Sequence, residues 1–543
     1  MREIKLLKYG WKFQRGDFPE AIKNDFDDSK WEDVRVPHDW AIKGPFSPDN
    51  DPHVMKSGDK EVILLGSTGG LPHTGKGWYR LKFHLPSDIK EKRVQIEFDG
   101  VMSHSKVYVN GSFVGEWAYG YSSFAFDITD FVKEGENILA VSVDNKPHSS
   151  RWYPGAGIYR NVRLVILNPV YVSHWGTYIT THLIDEKETR IDIRTEIENH
   201  TGKEIQIEVE TEIISPDGLK IASAIDRIKI NKKETIKQEV FITSPILWDI
   251  NNPALYTAIS VIKAEGNVMD RYETKFGIRE LLFDPNNGFF LNGRPVKFKG
   301  VCMHHDLGPI GTAINKSALK RQLTLLKEMG CNAIRTSHNP PAPELLELTD
   351  EMGFLVIDEA FDEWKKPKCP NGYNTIFDQW AEKDLRAMIR RDRNHPSVIM
   401  WSIGNEIPEQ EDPESGPRLA RFLHNICKEE DPSRPTTSAF HIPESAIKNG
   451  LADIVDIPGW NYYPHNYGKY HLMLPGKPMY GSETASCISS RGEYFFPVEE
   501  ERYTQRYKRE NLQVNSYDLS CPLWATIPDV EFRAQDDHPF IMG

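Results

Sequence analysis

From Arg279 onward, seven short apolar runs alternate with stretches of helical periodicity, and nothing else in the chain restricts the fold as tightly. The runs are 296–301, 332–335, 354–359, 398–401, 436–440, 457–462 and 478–481. Between them Leu319, Leu323, Leu326 and Met329 recur at helical spacing and stop at Gly330. A second helical stretch, 343–352, stops at Gly353. Trp380, Leu385, Met388 and Ile389 mark a third, and Leu419, Phe422, Leu423 and Ile426 a fourth. Strands alternating with helices in this way pair in parallel, because each helix carries the chain back across the sheet. The expectation is a (β/α)8 barrel over residues 279–543. An eighth run begins at Pro539 and reaches only Gly543, so the barrel is expected to be incomplete at strand eight, with unpaired backbone on its two neighbours. The chain reads as a shortened version of a longer one.

The 543 residues exceed what one core can hold, which predicts three or four domains. Residues 1–168 carry short strands with turn signals, among them 77–83 and 94–98. Asn110-Gly111, between Val107-Tyr108-Val109 and Phe113-Val114, is a strong signal for a two-residue hairpin. A jelly-roll β-sandwich is expected there. Residues 169–278 alternate apolar and charged positions, as in 192–197 and 205–209, the pattern of strands with one face buried and one wet. About 110 residues of this kind fit an immunoglobulin-like sandwich.

Composition closes off several function classes. The net charge of −13 and the lack of any Lys/Arg block argue against a nucleic-acid partner. No apolar stretch approaches the roughly 20 residues that span a bilayer. Six cysteines lie in the C-terminal half without a CxxC pair, so they read as free thiols packed like small hydrophobes. The N-terminus lacks an apolar signal region; as written the chain reads as cytoplasmic, or periplasmic or secreted if a signal peptide was removed. A homo-oligomer is left open. Most of the 13 Trp are expected in cores and at domain contacts, the rest in a sugar-binding cleft.

Chemistry-bearing residues gather where the barrel runs end. Run one ends in His304-His305-Asp306, run two in Arg335-Thr336-Ser337-His338-Asn339 and run three in Asp358-Glu359. Run four ends in Asn405-Glu406, run six in Asn461-Tyr462-Tyr463 and run seven in Glu483. In a barrel these ends form the catalytic rim. Two glutamates facing one pocket, one neutral and one ionised, suffice to cleave a glycosidic bond. Asp306 and Arg335 also have plain readings, as a loop carboxylate and as an ion-pair partner of Asp358 or Glu359.

The segment 392–406, Asp-Arg-Asn-His-Pro-Ser-Val-Ile-Met-Trp-Ser-Ile-Gly-Asn-Glu, resembles the acid/base signature of glycoside hydrolase family 2. Segments 332–340 and 350–359 resemble its second signature, with Asn339 where many members have Tyr. Gly77-Trp78-Tyr79-Arg80, the loop 152–160 and the stretch 248–256 are similar to the family's sandwich domains. The resemblance implies a β-galactosidase, β-glucuronidase or β-mannosidase acting on a small oligosaccharide or β-glycoside. It implies that Glu406 is the general acid/base, Glu483 the nucleophile and Asn405 the residue that binds the 2-hydroxyl. Tyr463 is expected to donate to the nucleophile, and Arg335 to sit at its base. His304 and His338 are expected to line the sugar site, with Asp306 and Asn461 beside them. Burial and the Glu483 charge are expected to raise the Glu406 pKa.

Relatives that bind magnesium near the acid carry Glu-Thr-His after the third strand. Here the matching stretch is Glu363-Trp364-Lys365, so no catalytic metal and no cofactor is expected. Gly481-Ser482-Glu483-Thr484-Ala485-Ser486 with Ser490-Arg491-Gly492 is most like one β-galactosidase branch. Two alternatives stay open, a glucuronidase or mannosidase, and a sugar-binding fragment without turnover.

Overall fold

A computed structural model describes residues 1–45, 47, 52–57, 60–65, 74–184, 187–503 and 513–543. Near the N-terminus a four-stranded and a six-stranded sheet face each other. Trp11, Phe13, Tyr79, Leu81, Val107 and Val141 of one sheet pack against Ile96, Phe98, Phe124 and Leu164 of the other. Asn110 and Gly111 both adopt positive φ, 50° and 84°, and join Ser105–Val109 to Ser112–Trp117 as an antiparallel hairpin. A three-stranded and a four-stranded sheet follow. Strand Glu188–Asn199 buries every second side chain, as its alternating sequence requires.

The barrel strands are β1 Gly300–Met303, β2 Ala333–Thr336, β3 Leu355–Glu359 and β4 Val398–Asn405, then β5 Thr436–Phe440, β6 Ile457–Asn461 and β7 Tyr480–Glu483. They pair in sequence order, all parallel. Helices α1 Lys316–Glu328, α2 Pro343–Met352, α3 Phe377–Asp392 and α4 Ser415–Glu430 return the chain between the first five. Pro at the first turn starts α2, and Gly353 in the left-handed region ends it. All eight residues of β4 are buried, as expected of a strand covered on both faces.

Residues 541–543 take the eighth place at one end of the barrel. Met542 N–H donates to Met479 O at 3.1 Å, Gly481 N–H to Gly543 O at 2.8 Å, and Phe298 N–H to Met542 O at 2.7 Å. Backbone on both sides of that place is therefore partly paired. Higher on β1, Gly300 and Cys302 are exposed. This corrects the expectation that the thiols are uniformly packed inside: Cys331, Cys369, Cys427 and Cys521 are buried, Cys302 is exposed and Cys487 lies between.

The first sandwich is docked on the barrel through buried polar contacts. Asp384 on α3 accepts from Trp117 Nε1 at 2.8 Å, Ser122 Oγ at 2.7 Å and Tyr373 OH at 2.6 Å. Arg160 donates to Pro341 O at 3.0 Å and to Pro340 O at 2.9 Å. Met102, Tyr119, Tyr121 and Tyr159 join the barrel's own apolar cluster. The loop after strand Gly135–Asn145 is thereby held against the barrel rim.

Candidate active site

β4 delivers Asn405 and then Glu406, which turns out of the strand with φ 43°. The Glu406 N–H donates to Ala439 O on β5 at 2.8 Å, which fixes the turn. Its Oε1 accepts from Asn461 Nδ2 at 3.0 Å. Asn461 ends β6 and pairs in register with Glu483 on β7. The two glutamates therefore flank one fully buried amide.

Glu483 sits among donors. Arg335 Nη1 donates to its Oε1 at 3.0 Å, the Tyr462 hydroxyl donates to its Oε2, and His338 Nε2 lies 3.5 Å from Oε1. Arg335 is itself gripped by Glu359, whose Oε2 accepts from Nε at 3.0 Å and from Nη2 at 2.7 Å. Glu359 also faces His338 Nδ1 at 2.7 Å and accepts from Ser402 Oγ at 2.6 Å. Burial pushes the Glu359 carboxyl up, against the pull of Arg335 and Ser402. Burial, then the Arg335 charge, holds His338 well below its ordinary pKa, so its imidazole is neutral near pH 7. Arg335 is thus both an ion-pair partner and a support of Glu483; one guanidinium does both because its donors form a rigid fork.

The loop from the first sandwich adds a wall and a charge. Trp152 stacks obliquely on His304, ring centres 5.1 Å apart, and its edge meets His338 at 5.7 Å. Arg151 Nε donates to Asp362 Oδ2 at 2.8 Å. Asp362 Oδ1 also accepts from Asn405 Nδ2 and from Lys368 Nζ, both at 2.9 Å, and Lys368 Nζ donates to Asn405 O at 2.8 Å. Burial opposes the Asp362 charge, yet Arg151 and Lys368 outweigh it and hold the carboxyl well below the usual range. Among the described residues, no group of three His, Cys, Asp or Glu side chains converges as a metal site.

Comparison with known proteins agrees domain by domain. The sugar-binding domain of glycosyl hydrolases family 2 matches residues 4–168, the family's second domain residues 170–279, and its TIM-barrel domain residues 285–473. A β-galactosidase of Bacteroides ovatus, BoGH2A, is 38% identical over the whole chain, which covers 67% of that protein. The chain belongs to glycoside hydrolase family 2. A solved family 2 member from Bacteroides cellulosilyticus is 32% identical with TM-score 0.86, covering 99% of this chain and 64% of that one. A Bacteroides uniformis β-glucuronidase is 28% identical with TM-score 0.80, covering 100% of this chain and 64% of that one. The chain spans about two thirds of the length of each of these three proteins.

Within this family 2 frame the structure brings Glu406, Glu483, Asn405, Asn461, Arg335, His304 and His338 to one rim. It corrects two expectations. Tyr463 does not reach Glu483; it is 38% exposed, and Tyr462 makes that bond instead. The register between β6 and β7 slips by one residue at Asn461, and Tyr462 N–H bonds Glu483 O at 2.6 Å, which aims the first tyrosine inward. Asp306 accepts from Gly308 N–H at 3.1 Å in a local turn, which agrees with its plain reading as a loop carboxylate. Glu406 is not held above its ordinary pKa in the free protein. Burial raises it, but Lys368, Arg151 and the Asn461 hydrogen bond are among the causes that outweigh burial and lower it.

Lys365, in the stretch Glu363-Trp364-Lys365, lies away from the rim. Lys365 Nζ pairs with Asp378 at 2.8 Å, toward solvent, and Lys368 is the ammonium next to Asn405. Glu359, Asp362, Lys368 and Tyr462 were missed as site residues. Glu359 and Tyr462 stand at quoted strand ends, Asp362 precedes the Glu363-Trp364-Lys365 stretch and Trp152 opens the quoted loop 152–160; Arg151 and Trp152 reach the rim from another domain.

A depressed Glu406 loses its proton as pH rises through a value below the ordinary one, and kcat/KM reports the free enzyme. Lys368→Met removes one depressing charge, so the Glu406 pKa rises. The alkaline limb of the kcat/KM profile is expected to move to higher pH. A pH–rate series on the variant checks this; an unmoved limb, or a move to lower pH, contradicts the role given to Lys368.

Proposed function

We propose that this protein is a retaining exo-β-glycosidase that hydrolyses terminal non-reducing β-D-galactosides by double displacement. Glu483 attacks the anomeric carbon while Glu406 donates a proton to the leaving oxygen. A glycosyl-enzyme forms, and Glu406 then takes a proton from the water that releases the sugar. Arg335 and Tyr462 support Glu483 as the ionised nucleophile. Asn461, bonded to Glu406 and in register with Glu483, supports the short carboxyl separation, about 5–5.5 Å, that retention requires. The Trp152 wall supports attack on chain ends.

Charge pairing carries the choice of glycone. Each cation that the described residues bring to the pocket already has a carboxylate: Arg335 has Glu359 and Glu483, and Arg151 and Lys368 share Asp362. Among the described residues a uronic acid's carboxylate would have to compete with Glu359, Glu483 and Asp362 for these cations, and a poorly paired buried charge is costly. A neutral galactoside avoids that cost. The β-galactosidase name of the Bacteroides ovatus relative agrees.

A panel of aryl β-glycosides tests the reading. The β-galactoside is expected to turn over about 10²-fold faster than the β-glucuronide and β-mannoside. NMR of the first-formed product should show the β-anomer. A preferred glucuronide overturns the glycone, an α-anomer overturns retention, and binding without aglycone release means a sugar-binding fragment.

A further inference from the structure

His441 follows β5, two residues after Ala439, whose carbonyl holds the Glu406 N–H. It faces Gln410, a fully buried side chain in the segment after β4. Gln410 Oε1 accepts from the Ile442 N–H at 3.0 Å, which fixes the amide orientation. Gln410 Nε2, which carries only hydrogens, then points at His441 Nδ1 at 2.9 Å. Nδ1 must be the acceptor, so the ring proton sits on Nε2. Protonating Nδ1 would set two N–H groups against each other. Burial also holds the His441 pKa below its ordinary value, with Lys368 and Arg151 acting the same way against Glu406 and Glu411. His441 is therefore a neutral imidazole with one N–H donor, and among the described residues no protein group accepts from Nε2. The ring is half-buried at the rim.

The general acid protonates the oxygen of the bond being cleaved, so the leaving group lies against Glu406. A residue beyond the end of the neighbouring strand, outward from Glu406, borders that leaving group. Arg335, Tyr462 and His338 border the nucleophile instead. We propose that His441 is a specificity residue of the leaving-group subsite, whose Nε2–H donates to an oxygen of a neutral sugar leaving group. A neutral donor suits a hydroxyl, and the Gln410 bond keeps the ring neutral beside Arg151 and Lys368. This proposal rests on the glycosidase reading above.

The test compares two leaving groups on one glycone, a galactosyl disaccharide and 4-nitrophenyl β-galactoside. His441→Phe keeps a ring and removes the N–H. It is expected to lower kcat/KM for the disaccharide about tenfold more than for the aryl galactoside, the worth of one hydrogen bond. His441→Gln, which returns an N–H at similar reach, should recover part of the difference. Equal losses on both substrates, or no loss, overturn the proposal. A long-range proton–nitrogen NMR spectrum of the unmodified protein reads the tautomer without turnover; a proton on Nδ1 also overturns it. If the unmodified protein cleaves no β-galactoside, the glycone reading fails instead, and the same pair of leaving groups on the accepted glycone tests His441.

Discussion

Glu483→Gln is expected to lower kcat by at least about 10⁴-fold on every substrate, activated or not. Glutamine is nearly the same size, so Arg335 and Tyr462 keep their places and the fold is undisturbed. The amide oxygen is a far weaker nucleophile than the carboxylate, and the glycosyl-enzyme cannot form. Steady-state assays with an aryl β-galactoside and a disaccharide read the loss, and circular dichroism confirms folding. Activity near normal in the folded variant would remove Glu483 from the reaction.

Glu406→Gln should behave differently, and the difference identifies the role. General acid catalysis contributes about 10²–10⁴-fold, and only where the departing oxygen needs a proton. A dinitrophenolate leaves without one; a sugar alcohol does not. The variant is expected to lose on the order of 10³-fold on a disaccharide and far less in the first step on dinitrophenyl β-galactoside. Its second step, which needs a base to activate water, should slow as well, so the glycosyl-enzyme accumulates and a burst of aryl product appears. Equal losses across leaving groups, with no burst, would contradict the acid/base role.

The barrel was readable because its strands are short, apolar and stopped by turn residues. In β4 all eight side chains are buried, and Ser402 is its one polar residue before Asn405-Glu406. Both glutamates were visible because each stands at the boundary where burial ends. Tyr463 failed for a local reason. The resemblance put the donor on Tyr463, whereas Tyr462 and Tyr463 both adopt left-handed backbone, φ 65° and 58°, and the strand alternation is lost there. The sign of the Glu406 shift failed for a long-range reason. Arg151 stands 255 positions before Glu406 and Lys368 stands 38 before it, and no spacing rule reports that they meet at Asp362.

Trp152 and Arg151 belong to the sandwich, while Glu406 and Glu483 belong to the barrel. Modules that look separable in a diagram are therefore not freely interchangeable. Recombination that grafted a foreign sandwich onto this barrel would swap part of the pocket lining along with it, so the two modules form a single heritable unit for this chemistry.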